Sequence, residues 1–235
     1  MIYALLDWDC LQKYNISIKD FCKSAKGLKA KYLQYRDKNS SLEKKLQRIK
    51  EIRKYWKKTL IVNDTIELLA FADGIHIGQE DLENLCKKFQ LSKKEVIENL
   101  KNGKLLQWKM DNVKCKIDSK KLKMKNDSPF SILHSPFIVG LSTHNREEIL
   151  EANKLPLDYI GLGAYRPTQT KDTSNILGKK IINLIKYSYH HVAVIGGVKI
   201  YDKIPAIKVI GSDICRLTSI QSKKKKILKK KLKNL

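Results

Sequence analysis

The chain has 235 residues and a formal net charge of +24, from 48 lysines and arginines against 24 acidic residues. That length suits one domain of barrel size, and the lack of any long uniform apolar stretch argues against a membrane-spanning helix. Five scattered cysteines without a CxxC pair point to reduced thiols in a cytoplasm, and away from a disulfide framework or a zinc site.

The start, MIYALLDWDC, carries Asp7 and Asp9 inside what would be a signal core and lacks a basic opening, so no secretory signal is read. Residues 2–7 form the first candidate strand, followed by a helix at 17–29. KYLQYRDK (31–38) is a second strand ending in charge. Residues 41–56 place Leu42, Leu46, Ile49 and Ile52 at helical spacing. TLIVND (59–64) is a third strand, 65–71 a short helix, and GIHIGQED (74–81) a fourth strand. SKKEVIENLKNG (92–103) predicts an extra helix ending at Gly103, and LLQWKMDNVKCKID (105–118) a hairpin turning at Asp111-Asn112. Strand-like runs follow at 137–142, 159–164, 192–197 and 213–218, with helices at about 145–153 and 174–187. Eight short apolar strands alternating with helices predict a parallel α/β fold, with a (β/α)8 TIM barrel the best count. The barrel spans 1–220, with an insertion at about 85–135 between the fourth and fifth strands. A basic tail, 221–235, ends the chain as a short helix. The tail is read as the last barrel helix in preference to a solvated appendage.

In such a barrel the C-terminal ends of the strands form the active-site face. Arg36 and Lys38, Asn63 and Asp64, Gln79 and Asp81, Ser142, the segment after Gly163, and Gly196-Gly197 all follow apolar runs and would converge on one rim. At a single strand, Asn-Asp reads as a helix cap. Polar groups at this many strand ends read as a site. Two aspartates on adjacent strand ends suit Mg²⁺, which takes one or two carboxylates together with phosphate oxygens and water. Arg36 offers a planar fork for phosphate oxygens and Lys171 a point charge. Gly196-Gly197 leaves bare N–H groups that a phosphate can approach.

The segments LQYRDK, IVNDTIELLAFADGIHIGQEDL, IVGLSTHNREEILEANKLPLDYIGLGAYRPTQTK and AVIGGV occur in the order of the motif series of thiamine phosphate synthases, and the chain resembles that family over most of 2–81 and 137–220. The resemblance implies a Mg²⁺-dependent transferase that joins hydroxymethylpyrimidine diphosphate to thiazole phosphate, with diphosphate leaving first. By motif, Gln34 holds the pyrimidine. Arg36, Lys38, Asn63 and Lys171 grip the diphosphate, and Asp64 and Asp81 hold the metal. Ser142 contacts the diphosphate side, and Thr168, Thr170 and Gly197 serve the thiazole phosphate. His144 resembles a histidine implicated in thiazole tautomerase chemistry, although synthases carry one there too. His76 reads as a structural histidine, His190-His191 as loop residues, and Trp56 and Trp108 as packing residues.

Two other functions compete. A tautomerase-like isomerase of the same superfamily needs no diphosphate grip, which Asp64, Asp81 and Lys171 supply. A non-catalytic barrel could bind nucleic acid through its lysines. However, the bases are nearly all lysine and are spread along the chain, and the aspartates would go unexplained. The partners expected are therefore the two small substrates, with no membrane, nucleic acid disfavoured and a homo-oligomer possible. Departures from the family fall in the insertion and around the last strand. There Ile214 and Arg216 are read in place of small residues. Arg216 would assist the thiazole phosphate, fill its site, or turn away to a partner such as Asp213, the first being preferred.

Overall fold

The computed structural model describes residues 1–113, 136–167 and 176–233. Eight parallel strands close into a barrel in chain order: β1 (Ile2–Asp7), β2 (Tyr32–Arg36), β3 (Thr59–Asn63), β4 (Gly74–Ile77), β5 (Ile138–Thr143), β6 (Tyr159–Leu162), β7 (His191–Val194) and β8 (Ile207–Ile210). The closure pairs Tyr3 with Val209. Side chains alternate across each strand. Tyr3, Ile61, Tyr159, Ala193 and Val209 form one cluster, set apart from a larger one in which residues such as Leu33, Val62 and Val139 meet the helices.

The outer layer holds α1 (Trp8–Tyr14), α2 (Ile18–Gly27), α3 (Leu42–Tyr55), α4 (Gln79–Phe89), α5 (Lys93–Lys101), α6 (Lys104–Val113), α7 (Arg146–Ala152), α8 (Ile181–Ile185) and α9 (Ser212–Lys233). Short 3-10 turns lie at Ile66–Phe71 and Gly178–Lys180. Their starts follow from sequence chemistry. Asp7, Ser17, Ser41, Ser92 and Asn145 each accept a backbone N–H in the first turn of the helix that follows. Trp56 is fully buried after α3, with its indole N–H donated to the Thr59 carbonyl at 2.9 Å.

Four expectations change. The eighth strand is Ile207–Ile210, whereas residues 213–218 are helical, in the first two turns of α9. Ile214, Cys215 and Thr218, buried at i, i+1 and i+4, form a helix face that in a short window looks like alternation. The fourth strand stops at Ile77, because Gly78 caps α4, so Gln79 and Asp81 stand in the first turn of that helix. In place of the first arm of a hairpin, 104–113 are helical in α6; the rest of that segment, including Cys115, lies outside the described residues. The helix expected at 174–187 is shorter, running 181–185 after the 3-10 turn, and 174–175 lie outside the described residues.

The helix expected at 92–103 is present as α5, and Gly103 follows it with a φ of 75°. The Phe137 N–H donates to the Lys101 carbonyl at 2.8 Å, so the chain leaves α5 and returns just before β5 at one point. That point is at the N-terminal end of the barrel, opposite the rim that carries the site residues.

Candidate active site

Neighbouring strands set the order of groups around the rim. Gln34, on β2, is buried, and its amide donates to Asn63 Oδ1 on β3 at 2.7 Å. Asn63 in turn donates from Nδ2 to Asp64 Oδ2. Asp64 has a φ of 55°, a left-handed conformation uncommon for a residue with a Cβ. It is held there by its own N–H, donated to the His76 carbonyl at 3.0 Å, and by the Gly78 N–H, donated to Oδ1 at 3.2 Å.

Asp64 is also electrostatically loaded. Burial first, and then the neighbouring Asp81 carboxylate, push its pKa up from 3.8 to about 6, against the opposing pull of the Gly78 N–H and the Lys38 charge. Two carboxylates forced together are repelled when both ionise, and a cation between them would relieve that. Among the described residues no group of three or more His, Cys, Asp or Glu side chains stands ready for a metal. Two carboxylates fit a Mg²⁺ that takes its remaining ligands from phosphate and water.

Arg36 ends β2 and pairs with Asp7, the buried last residue of β1. Asp7 also accepts the Cys10 N–H at 2.9 Å. Sequence reading used Asp7 only against a signal peptide. Its pairing signal was the register of parallel strands, which sets Asp7 beside Arg36. Next to it, Asp37 accepts Tyr35 O–H at 2.9 Å and the Ser40 N–H at 3.1 Å, and pairs with Arg48, whose guanidinium lies 3.5 Å from the Trp8 ring centre. This brace fixes the turn that carries exposed Lys38.

Ser142, on β5, meets His76 Nε2 through its hydroxyl at 3.0 Å and accepts Gln79 Nε2 at its carbonyl at 2.7 Å. His76 is a buried structural histidine in this sense, yet it touches a rim residue. His144 pairs with Glu148 at 2.9 Å. His190 Nε2 lies 3.0 Å from the Ala152 carbonyl, and His191 opens β7. Trp108 packs edge-on against Phe89, ring centres 4.7 Å apart.

Beyond β7, Gly196 and Gly197 have φ of 91° and 64°. A Cβ on Gly197 would lie 2.7 Å from Arg166 Cβ, so the two loops pack backbone to backbone. Arg166 binds the Gly197 carbonyl at 3.0 Å and Asp202 through both terminal nitrogens, at 2.5 and 2.8 Å. Among the described residues neither Gly196 nor Gly197 donates its N–H to a partner. Thr168, Thr170 and Lys171 lie outside the described residues. Arg216 is corrected: it sits on α9 and binds Asp213 at 2.9 Å, because the helix brings residues three apart together. The small residues expected after the last strand are Gly211 and Ser212, which follow β8 directly. A strand placed a few residues early in the sequence concealed them.

The rim thus unites Gln34, Arg36, Lys38, Asn63, Asp64, Asp81 and Ser142, with the Gly197 loop at β7. The sequence profile of the thiamine monophosphate synthase family matches residues 10–97 and 106–217. The chain belongs to that family. Among curated relatives carrying the name thiamine-phosphate synthase, that of Fusobacterium nucleatum is 32% identical over 232 residues, 92% of this chain and 90% of the relative. That of Persephonella marina is 30% identical over 175 residues, 72% of this chain and 64% of the relative. A solved thiamine phosphate pyrophosphorylase from Pyrococcus furiosus superposes with a TM-score of 0.58, covering 94% of this chain and 95% of its own at 18% identity, and so shares the fold.

Proposed function

We propose that this member of the family is a thiamine phosphate synthase, a transferase that moves hydroxymethylpyrimidine from its diphosphate to thiazole phosphate and releases diphosphate. The observation that carries this reading is the Asp64–Asp81 carboxylate pair standing beside Lys38 on the rim of a closed barrel. A cation-dependent anion site needs that combination; a tautomerase does not, and a nucleic-acid surface would exclude the carboxylates.

Asp64 and Asp81 would hold Mg²⁺, which supplies charge neutralisation for the diphosphate when bound. The chain's own residues do the rest. Gln34, buried and pinned to Asn63, presents its amide to the pyrimidine. Arg36, anchored by Asp7, together with Lys38, Asn63 and Lys171, gathers positive charge and donors where negative charge grows as the diphosphate departs. Such preorganised groups stabilise the transition state most where water is excluded. The pyrimidine cation so released is trapped by the thiazole nitrogen. The thiazole phosphate lies between the ends of β7 and β8, where barrels often bind phosphate. There it would meet the N–H groups of Gly196 and Gly197 and, by the family's motif, Thr168 and Thr170, while Gly211 and Ser212 follow β8 directly. No step asks for a nucleophilic serine or cysteine.

No helix among the described residues is long and apolar enough to cross a membrane. The described cysteines, Cys10, Cys22, Cys86 and Cys215, are free thiols, in keeping with a reducing cytoplasm. Incubation of the purified protein with both substrates and Mg²⁺ should yield thiamine phosphate and diphosphate. Absence of both products, with either substrate in excess, overturns the reading.

A further inference from the structure

The Ser142 hydroxyl is the outer end of a hydrogen-bond chain rooted inside the barrel. Tyr3 O–H and Tyr159 O–H are 3.0 Å apart, Tyr159 O–H and His76 Nδ1 3.1 Å, and His76 Nε2 and Ser142 Oγ 3.0 Å. The four residues come from β1, β6, β4 and β5, so no local sequence motif encodes the chain. The neighbouring strands make room for it. A Cβ at Gly140 would fall 2.2 Å from Tyr159 Cζ, and one at Gly161 would fall 2.8 Å from His76 Cε1. In the space so left, the His76 and Tyr159 rings stack with centres 5.5 Å apart and planes at 23°.

Two directions of donation are open to these four groups. In the outward one, Tyr3 donates to Tyr159, Tyr159 to His76 Nδ1, and His76 Nε2–H to Ser142. Each of those protons has an acceptor, and the hydroxyl proton of Ser142 is left for the rim. In the inward one, every bond reverses, and the proton left over belongs to Tyr3. That hydroxyl is on a side chain buried at the far end, and among the described residues Tyr159 is its only hydrogen-bond partner. A buried donor left without a partner bears the full loss of its hydration, so the outward direction wins. Burial also pushes both phenols well above the ordinary tyrosine range, which keeps both protons in place.

We infer that Tyr3, Tyr159 and His76 are positioning residues that hold the Ser142 hydroxyl as a hydrogen-bond donor aimed at the departing diphosphate. The target rests on the synthase reading; the direction of the chain does not. A serine hydroxyl turns its lone pairs to a neighbour as easily as its proton. Facing an anion, only the donor orientation stabilises, and a histidine that always donates to Oγ removes the other choice before substrate arrives. A dipole fixed in advance needs no reorientation as charge develops.

The direction is testable without turnover. Nitrogen-15 NMR of the substrate-free protein, with the His76 signals assigned by their loss in His76→Gln, should report the Nε2–H tautomer. An Nδ1–H tautomer overturns the inference. A chain that makes no thiamine phosphate would instead overturn the functional reading, and the NMR result would still stand. The coupling is tested by kinetics. Ser142→Ala should lower kcat about 100-fold, the usual scale for losing one oxyanion donor, and Tyr159→Phe about 10-fold, with KM for thiazole phosphate within about twofold of the parent. The double variant should be no slower than Ser142→Ala alone, because Tyr159 acts through Ser142. His76→Gln, whose amide can accept from Tyr159 and donate to Ser142, should retain more activity than His76→Leu. Multiplicative losses in the double variant, or an unchanged kcat in Tyr159→Phe, would overturn it.

Discussion

Asp64→Asn should stabilise the Mg²⁺-free protein while removing its activity. Asp64 titrates at about 6 in the fold, against the ordinary 3.8. A carboxyl whose pKa rises on folding favours the folded state while protonated. That contribution is whole below pH 3.8 and is lost as pH climbs through about 6. Two pK units at about 1.4 kcal/mol each put the penalty at about 3 kcal/mol at pH 8 and about 1.5 kcal/mol at pH 5. Asparagine keeps an oxygen for the Gly78 N–H but sets an amide against the Asn63 amide, which must flip to accept. That adjustment trims the gain to about 1–3 kcal/mol at pH 8, or roughly 3–10 °C in Tm for a chain of this size. Thermal unfolding in chelator at pH 5 and pH 8 measures both. Adding Mg²⁺ should then raise the wild-type Tm and leave the variant where it was, with thiamine phosphate formed only by the wild type. A variant less stable than wild type at pH 8, or a stability difference equal at the two pH values, would refute the account of Asp64 as a strained half of a cation site.

Trp56→Ala removes the largest fully buried side chain and its bond to Thr59, and should cost about 3–5 kcal/mol in urea unfolding. Gly197→Ala places a Cβ 2.7 Å from Arg166 Cβ at a φ of 64°, so it should raise KM for thiazole phosphate several-fold while sparing that for the pyrimidine diphosphate. Arg216→Ala should leave both Michaelis constants unchanged and shift stability by only about 0.5 kcal/mol, since its pairing with Asp213 is half exposed. A selective rise in the thiazole phosphate KM would return Arg216 to the site.

Seven of the eight strands were legible because each is a short run dominated by apolar or aromatic residues that ends close to a glycine or a polar residue. The eighth was not, because Lys208 interrupts Ile207–Ile210. Its amine is tied off by the Ile200 and Asp202 carbonyls at 2.6 and 3.1 Å, a pairing that no sequence window contains. The misplaced strand then carried Arg216 to the rim in error and hid Gly211 and Ser212. Among the candidate site residues, the rim position of Asn63 and Asp64 was readable from punctuation after an apolar run, whereas Asp81, read at a strand end, stands in the first turn of α4. The left-handed turn at Asp64 was not readable, since asparagine and aspartate after a strand serve equally well as caps. Asp7, Tyr3 and Tyr159 stayed silent for a different reason. Each looks like an ordinary strand residue until the closed sheet sets β1 beside β2 and faces it across the lumen to β6.

The bond from Phe137 to Lys101 brings the two ends of the segment between α5 and β5 together at the base of the barrel. Those ends are tied together there and α6 packs Leu105 and Leu106 into the core, so length added beyond α6 costs mainly closure entropy, about 0.6 kcal/mol for each doubling. This makes the position a natural splice point. A fluorescent reporter, a purification module or a second enzyme whose termini lie close together could be grafted there, with catalysis at the opposite rim left undisturbed.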